Sequence, residues 1–282
     1  MRKVMLIQRL ALAALLLPLC SLAQLTTPPD TSNRPNDGFY ERLAPSEREV
    51  IAYDHIRESD VHWQRRVWRV IEVNEKMNLP FQYSNIDWQD LKPMSQILLD
   101  AAQSGEISAY DEDFFKTRIK FDEVTSRGGA GWDTVPTYDA QGEIIGDTAI
   151  FNEFNRDMIT KFRIKEDWFI DKETGTMQCR IIGIAPVIQE PTSGMDMALF
   201  WAYYPELRKV LVKEDVFNPK NDAVRYSWDD LMEARMFSSY VIKESNVFDR
   251  RISEYASGID ALMESERVRN EIFEKEHDMW SY

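Results

Sequence analysis

Between Phe162 and Ile170 the chain alternates strictly enough to leave one backbone conformation open. Phe162, Ile164, Trp168 and Ile170 fall on one side and Arg163, Lys165 and Asp167 on the other. This is the period-two pattern of a half-buried strand. Asp171 to Gly175 is a polar turn, and Met177 to Val187 returns with Ile181, Ile182 and Ile184, so the two runs predict an antiparallel hairpin with Cys179 on its second strand. Phe200 to Tyr204 predicts a third, short aromatic strand. Pro205 suits the first position of a helix from Glu206 to about Lys213, because its missing N–H has no partner there anyway.

The remaining periodicity is helical. Ser59 or Asp60 caps a predicted helix running to about Met77, with Trp63, Val67, Val70, Ile71 and Met77 as its buried stripe and Asn78-Leu79-Pro80 as its stop. A second helix is predicted from about Asp90 to Ser104, with Ile97, Leu98 and Ala101 inward and Gly105 ending it. Ser227 caps a third, from Trp228 to about Tyr240. In the last and longest, Phe248, Ile252, Tyr255, Ile259 and Leu262 recur at steps of four and three, Gly258 is a weak point and Glu271 pairs with Lys275. Val50 to Ile56 alternates weakly, Ser126 to Gly131 reads as a flexible loop, and Asp139 to Gly142 as a turn. The expected class is α+β: an antiparallel sheet, made of the hairpin at about 162–187 and the strand at about 200–204, packed with helices and closed by a helical C-terminal region at about 227–280.

The first residues concern location. Arg2 and Lys3, the apolar run Leu10 to Leu19, and Ser21-Leu22-Ala23 have the order of a secretory signal peptide spanning 1–23. Cys20 offers a rival reading as a lipidated start, which Leu19 just before it disfavours. Residues 24–48, with Pro28, Pro29 and Pro35, are expected to be an extended or disordered leader, either a tether or a partner-binding strap carrying Phe39 and Tyr40. Residues 49–282 then form a single domain. With 8 Trp, 11 Tyr and 14 Phe in 282 residues, the chain has apolar bulk enough for one core.

The full chain carries a net charge of −14, and loss of Arg2, Lys3 and Arg9 leaves 31 bases against 48 acids, or −17. Such a surface repels nucleic acid and anionic headgroups and favours a basic protein partner. Cys179 is the only cysteine beyond the leader, so no internal disulfide framework holds the fold. Its place on a strand between apolar neighbours makes it a structural thiol.

Chemistry is sparse. Of three histidines, His55 and His62 lie seven apart near Asp54, Glu58 and Asp60. On a helix seven residues are about 10.5 Å of rise, too far for one ion at ~2 Å bond lengths, so no metal site is expected. No nucleophile elbow, metalloprotease helix, Walker loop or dinucleotide fingerprint occurs. Gly128-Gly129-Ala130-Gly131 lacks the Lys-Ser or Lys-Thr that holds phosphate. No catalytic residue and no cofactor is expected. Paired carboxylates abound, as they must in so acidic a chain.

One ordered series of motifs carries a resemblance. It opens with Ile56-Arg57-Glu58-Ser59-Asp60-Val61, Trp63, Arg65-Arg66-Val67-Trp68-Arg69 and Glu75-Lys76-Met77-Asn78. It continues with Arg163 to Phe169 and Arg180 to Pro186, then Leu199-Phe200-Trp201 with Tyr204-Pro205-Glu206. It ends with Lys243 to Val247, Leu262 to Arg267 and Glu276 to Trp280. From about Ile56 to Tyr282 the chain resembles the GldN/PorN family, periplasmic components of the type IX secretion and gliding machinery. Ser59 and His62 depart from the family's first block, and the leader and the Gly128 to Gly131 loop fall outside the match.

The resemblance implies a non-enzymatic subunit of a large periplasmic ring, assembled with an outer-membrane-anchored lipoprotein of the GldK/PorK kind. That ring contacts trans-envelope motor proteins of the GldM/PorM kind and supports protein export. Arg57, Arg65, Arg66 and Arg69, read as one short basic helix on an acidic protein, and Trp280 at the C-terminal end are the candidate subunit or partner interface. Two rivals are weighed: a periplasmic hydrolase with carboxylates in a cleft, and a glycan- or peptide-binding module that stacks ligands on its tryptophans. The helical or alternating spacing of most of the eight Trp points to core rather than platform.

Overall fold

The computed structural model describes residues 48–85, 91–138, 144–152, 154–190, 194–221 and 224–280. In chain order the elements are β1 (Val61–Glu72), α1 (Met94–Ser104), β2 (Ala109–Tyr110), α2 (Phe121–Arg127), β3 (Gly131–Tyr138), β4 (Ile144–Asn152), β5 (Ile159–Asp171) and β6 (Met177–Gln189). There follow β7 (Asp196–Ala198), β8 (Trp201–Tyr203), α3 (Tyr204–Leu211), β9 (Asp215–Val216), β10 (Tyr226–Ser227), α4 (Trp228–Glu233), β11 (Tyr240–Glu244) and α5 (Ile259–Trp280). The expected signal peptide, the leader apart from Arg48, and the Asp139–Gly142 turn lie outside the described residues.

The hairpin β5–β6 is the spine of a seven-stranded sheet in the order β11-β1-β5-β6-β8-β2, with β7 on the same edge of β6 as β8. Every pairing in it is antiparallel. β3 and β4 form a separate hairpin, as do β9 and β10. The α+β class with an antiparallel sheet and a long C-terminal helix is the architecture found. Gly175, at φ 64°, takes the left-handed conformation that turns β5 into β6.

On one face of the sheet, Ile71, Phe162, Ile164 and Ile184 pack against α1, α3 and α4 through Leu98, Leu207, Leu211, Trp228 and Met232. Burying each such side chain stabilises by about 1.5–3 kcal/mol relative to exposure. Further along the same strands, Val67 and Val241 meet Ile252, Val268 and Ile272, so α5 covers the far end of the same face. The opposite face buries Trp68, Tyr110, Ala185 and Trp201, with Phe115 and Tyr203 packed against them.

The predicted helix from Ser59 to Met77 is instead β1, a twelve-residue strand between β11 and β5. Its Val, Ile and Trp content suits a pleated surface better than a helix. Both of its faces are covered, so the period-two signal was lost and the three-four spacing of Trp63, Val67, Val70 and Ile71 was accidental. Met77, expected inside, is exposed. The same double coverage corrects the half-buried reading of β5, whose supposed solvent face holds buried Lys165 and Asp167.

Local start and stop signals fared better. α1 ends at Gly105, φ 78°, and buries Ile97, Leu98 and Ala101 as expected, beginning at Met94 after Pro93. Pro205 stands in the first turn of α3, and Ser227 makes a reciprocal capping box with Asp230 at α4. Yet α4 stops at Glu233: Arg235 adopts φ 53°, Met236 N–H donates to Leu231 C=O at 3.0 Å, and the chain enters β11 where a helix to Tyr240 was predicted. The predicted seam from Phe248 to Leu262 is also corrected. α5 begins only at Ile259, after Gly258 at φ 58°. Of the five seam residues Ile252 alone is buried, the inward residues of α5 being Ser265, Val268 and Ile272. In the loop read as flexible, Ser126 and Arg127 belong to α2 and Gly131 opens β3.

Candidate interface and buried ionic clusters

The cross-strand register assigns each arginine of β1 a partner. Arg66 lies opposite Asp167, and its Nε and Nη2 donate to the two carboxylate oxygens at 2.6 and 2.7 Å. Arg65, on the other face, donates through Nη1 to Glu244 of β11 at 3.0 Å and Glu271 of α5 at 2.8 Å. Arg69 is buried, with Nε on Ser239 Oγ at 2.9 Å and Nη2 on the Ser239 carbonyl at 3.0 Å. Burial lowers its pKa, with Glu166 opposing. Arg57, before the strand, pairs with Asp60 at 3.0 Å. Trp280 is the last residue of α5.

The four arginines therefore do not form one basic helix face. Alternation along β1 sends Arg65 and Arg69 to one side and Arg66 to the other, and carboxylates or carbonyls of this same chain engage them all. Glu271, expected to pair with Lys275, bridges Arg65 and Arg267 instead.

Beside Arg69 lies a second cluster. Glu166, fully buried, accepts from Arg235 Nη1 at 3.0 Å and from Trp168 Nε1 at 3.0 Å. Arg235 Nη1 also reaches Cys179 Sγ at 3.2 Å, and its guanidinium stacks 5.0 Å from the Trp168 ring. The left-handed turn that ends α4 delivers this guanidinium. Burial, reinforced by the charge of Glu166, pushes the Cys179 thiol well up, Arg235 opposing. A thiol so held stays protonated at neutral pH and is a poor nucleophile.

A third cluster joins α3, α4 and the segment after Arg48. Arg208 donates to Asp229 in a bidentate pair, Nε to Oδ1 at 2.9 Å and Nη2 to Oδ2 at 3.0 Å, while Tyr204 Oη donates to Oδ1 at 3.2 Å. The Tyr53 ring lies 4.2 Å from the Arg208 guanidinium and 4.8 Å from that of Arg180, and its hydroxyl donates to Glu233. Burial raises the Tyr53 pKa, Glu233 adding to it, and burial likewise raises that of Glu233. Arg48 anchors the start of this segment to Asp215 at 2.6 Å.

On the opposite sheet face Lys165 Nζ donates to the Asp113 carbonyl at 2.7 Å and sits 4.8 Å from the Phe114 ring. The rings of Trp68 and Phe115 are each 5.6 Å away. Burial lowers its pKa against the pull of Asp113. In all these clusters charge meets opposite charge, carbonyl or ring, an arrangement that fixes which strands and helices adjoin.

Sequence reasoning missed Tyr53, Arg208, Asp229 and Glu233, because α3, α4 and the N-terminal segment meet only in three dimensions. Glu166 had a signal: an acid inside an apolar strand run needs a buried cation. His62 stands exposed on β1, so the helical-rise argument against a shared ion with His55 falls away. Among the described residues no group of three His, Cys, Asp or Glu side chains is placed to hold a metal ion. No described helix is long and apolar enough to cross a membrane.

No curated protein matches the chain. The sequence profile of the gliding motility associated protein GldN matches residues 56–281, from the turn before β1 to the end of α5. That span includes the whole seven-stranded sheet and every helix described above, and the chain accordingly belongs to the GldN family of gliding motility associated proteins.

Proposed function

We infer that this chain is a non-enzymatic structural subunit of a periplasmic ring complex of the type IX secretion system, serving protein export and gliding motility. The observation that carries the reading is the family match over residues 56–281. In this reading a signal peptide takes the chain to the periplasm, and an outer-membrane lipoprotein of the GldK/PorK kind holds copies of it at the membrane. A motor protein of the GldM/PorM kind contacts the resulting ring.

The commitment of the buried charges to contacts within the chain supports a structural role. Glu166, Asp229 and Lys165 each sit in closed pairs, whereas general acid–base work requires a carboxylate or amine that a substrate can reach. The decisive experiment is size-exclusion chromatography with light scattering of the chain after residue 23, alone and with its lipoprotein partner. A co-assembly of many copies is expected. Elution of both as separate small species under all salt conditions would refute the reading.

A further inference from the structure

α5 has two apolar faces, and the fold uses one. Ser265, Val268 and Ile272 point into the sheet. At about 100° per residue, Ile259, Leu262, Met263 and Phe273 lie together on an arc pointing away from it. They are 60–75% exposed. Scattered exposed apolar side chains are ordinary, but four on one arc of one helix, three of them within five residues and the fourth beyond Glu266 and Asn270, make a patch of the kind that marks an interaction site.

Charge decides what covers it. α5 carries seven carboxylates against three cations. Arg267 is held by Glu264 and Glu271, and Arg269 by Glu266, so both arginines are neutralised on the helix itself. Glu274, beside the arc, has no partner among the described residues. Laying α5 of a second copy on this face would oppose like charges, and an anionic lipid surface meets the same repulsion.

We propose that the outward face of α5 is the docking site for an amphipathic helix of a different protein, with aliphatic residues at three-four spacing and lysine or arginine on both flanks. The patch from Ile259 to Phe273 is about 21 Å long at ~1.5 Å per residue, which a partner helix of about 15–18 residues spans. Its aliphatic stripe covers Ile259, Leu262, Met263 and Phe273, and its basic flanks meet the carboxylate surplus of α5, Glu274 nearest the arc. This docking is a one-to-one contact and does not depend on ring assembly.

The test uses the full chain and a displayed library of amphipathic helices about 18 residues long. Leucine is fixed at the three-four positions, and Lys, Gln or Glu is allowed at the flanks. Selected helices are then synthesised, dye-labelled and titrated by fluorescence anisotropy. Lysine flanks are expected to be enriched, and the lysine-flanked peptide to bind at least about tenfold more tightly than its glutamate-flanked counterpart, the difference shrinking as salt rises. Leu262→Asp and Phe273→Asp, both at exposed positions, are expected to weaken binding at least about tenfold with melting unchanged. Recovery of no helix, absence of a charge preference, or binding retained by both variants overturns the proposal. So does a dimer that Leu262→Asp dissolves in light scattering, which identifies a second copy. Sedimentation with phosphatidylcholine vesicles that Leu262→Asp abolishes identifies lipid and overturns it equally.

Discussion

Asp229→Ala removes the acceptor of the most enclosed ion pair among the described residues and leaves the Arg208 guanidinium in place. The two side chains are 6% and 7% exposed, and the pair is bidentate. Breaking a buried pair from one side typically costs about 3–5 kcal/mol, because a desolvated charge is stranded. Here Glu233 remains 3.7 Å from Arg208 Nε and the Tyr53 ring 4.2 Å from its Cζ, so the lower half of that range is expected, about 3–4 kcal/mol. At ~2–4 °C per kcal/mol for a domain of this size, melting followed by circular dichroism should fall by about 6–16 °C. Arg208→Met combined with Asp229→Leu removes both charges, and replacing a buried pair by apolar groups is often close to neutral. The double variant should therefore be more stable than Asp229→Ala. A loss below about 1 kcal/mol in Asp229→Ala, or a double variant as unstable as the two single changes summed, would refute the argument.

Glu233 is held above the usual carboxylate range by burial, with the Tyr53 hydrogen bond and Arg208 opposing. Its raised folded pKa means that its stabilising contribution is full below the ordinary value of 4.5 and is lost as pH rises through the folded value, so wild-type stability relative to Glu233→Gln should decline from acid toward neutral pH in urea titrations. A Cβ on Gly183 would lie 2.6 Å from Phe115 Cζ and 3.3 Å from the Ala202 carbonyl oxygen; Gly183→Ala should cost about 1–3 kcal/mol, and Phe115→Ala in the same chain should recover part of it in the melt. Arg65→Glu with Arg66→Glu sets new carboxylates against Glu244, Glu271 and Asp167, and should lower the denaturation midpoint by about 1–2 kcal/mol per site after allowance for the partial exposure of both arginines. An unchanged midpoint with assembly lost would restore these arginines to an external interface. Cys179 in the native protein should react with iodoacetamide at pH 8 at least about tenfold more slowly than after unfolding, and equal rates would show that its thiol is neither desolvated nor held by Glu166.

What was legible in the sequence was local. The β5–β6 hairpin, the glycine stop of α1, the proline start of α3 and the serine cap of α4 each depend on a few neighbouring residues, and all appear where the sequence places them. The ordered blocks from Ile56 onward were likewise sufficient for the family. The four arginines were read as one basic helix face, and the register of β1 instead divides Arg65 and Arg69 from Arg66 across the sheet.

The sequence by itself determined the antiparallel hairpin, the class and the family, because alternation, caps and motif order are properties of short stretches. Tertiary structure decided the rest. A strand covered on both faces loses its period, so the spacing of apolar residues within Val61–Glu72 did not distinguish the inner strand β1, flanked by β5 and β11, from a helix. Likewise the chain leaves α4 through one left-handed residue, Arg235, on its way to β11 at Tyr240, and the guanidinium of that residue pairs with a buried carboxylate on β5, 69 positions away in sequence. Whether an arginine faces solvent or a buried acid is settled only by which strands adjoin, and that choice is made by the whole sheet.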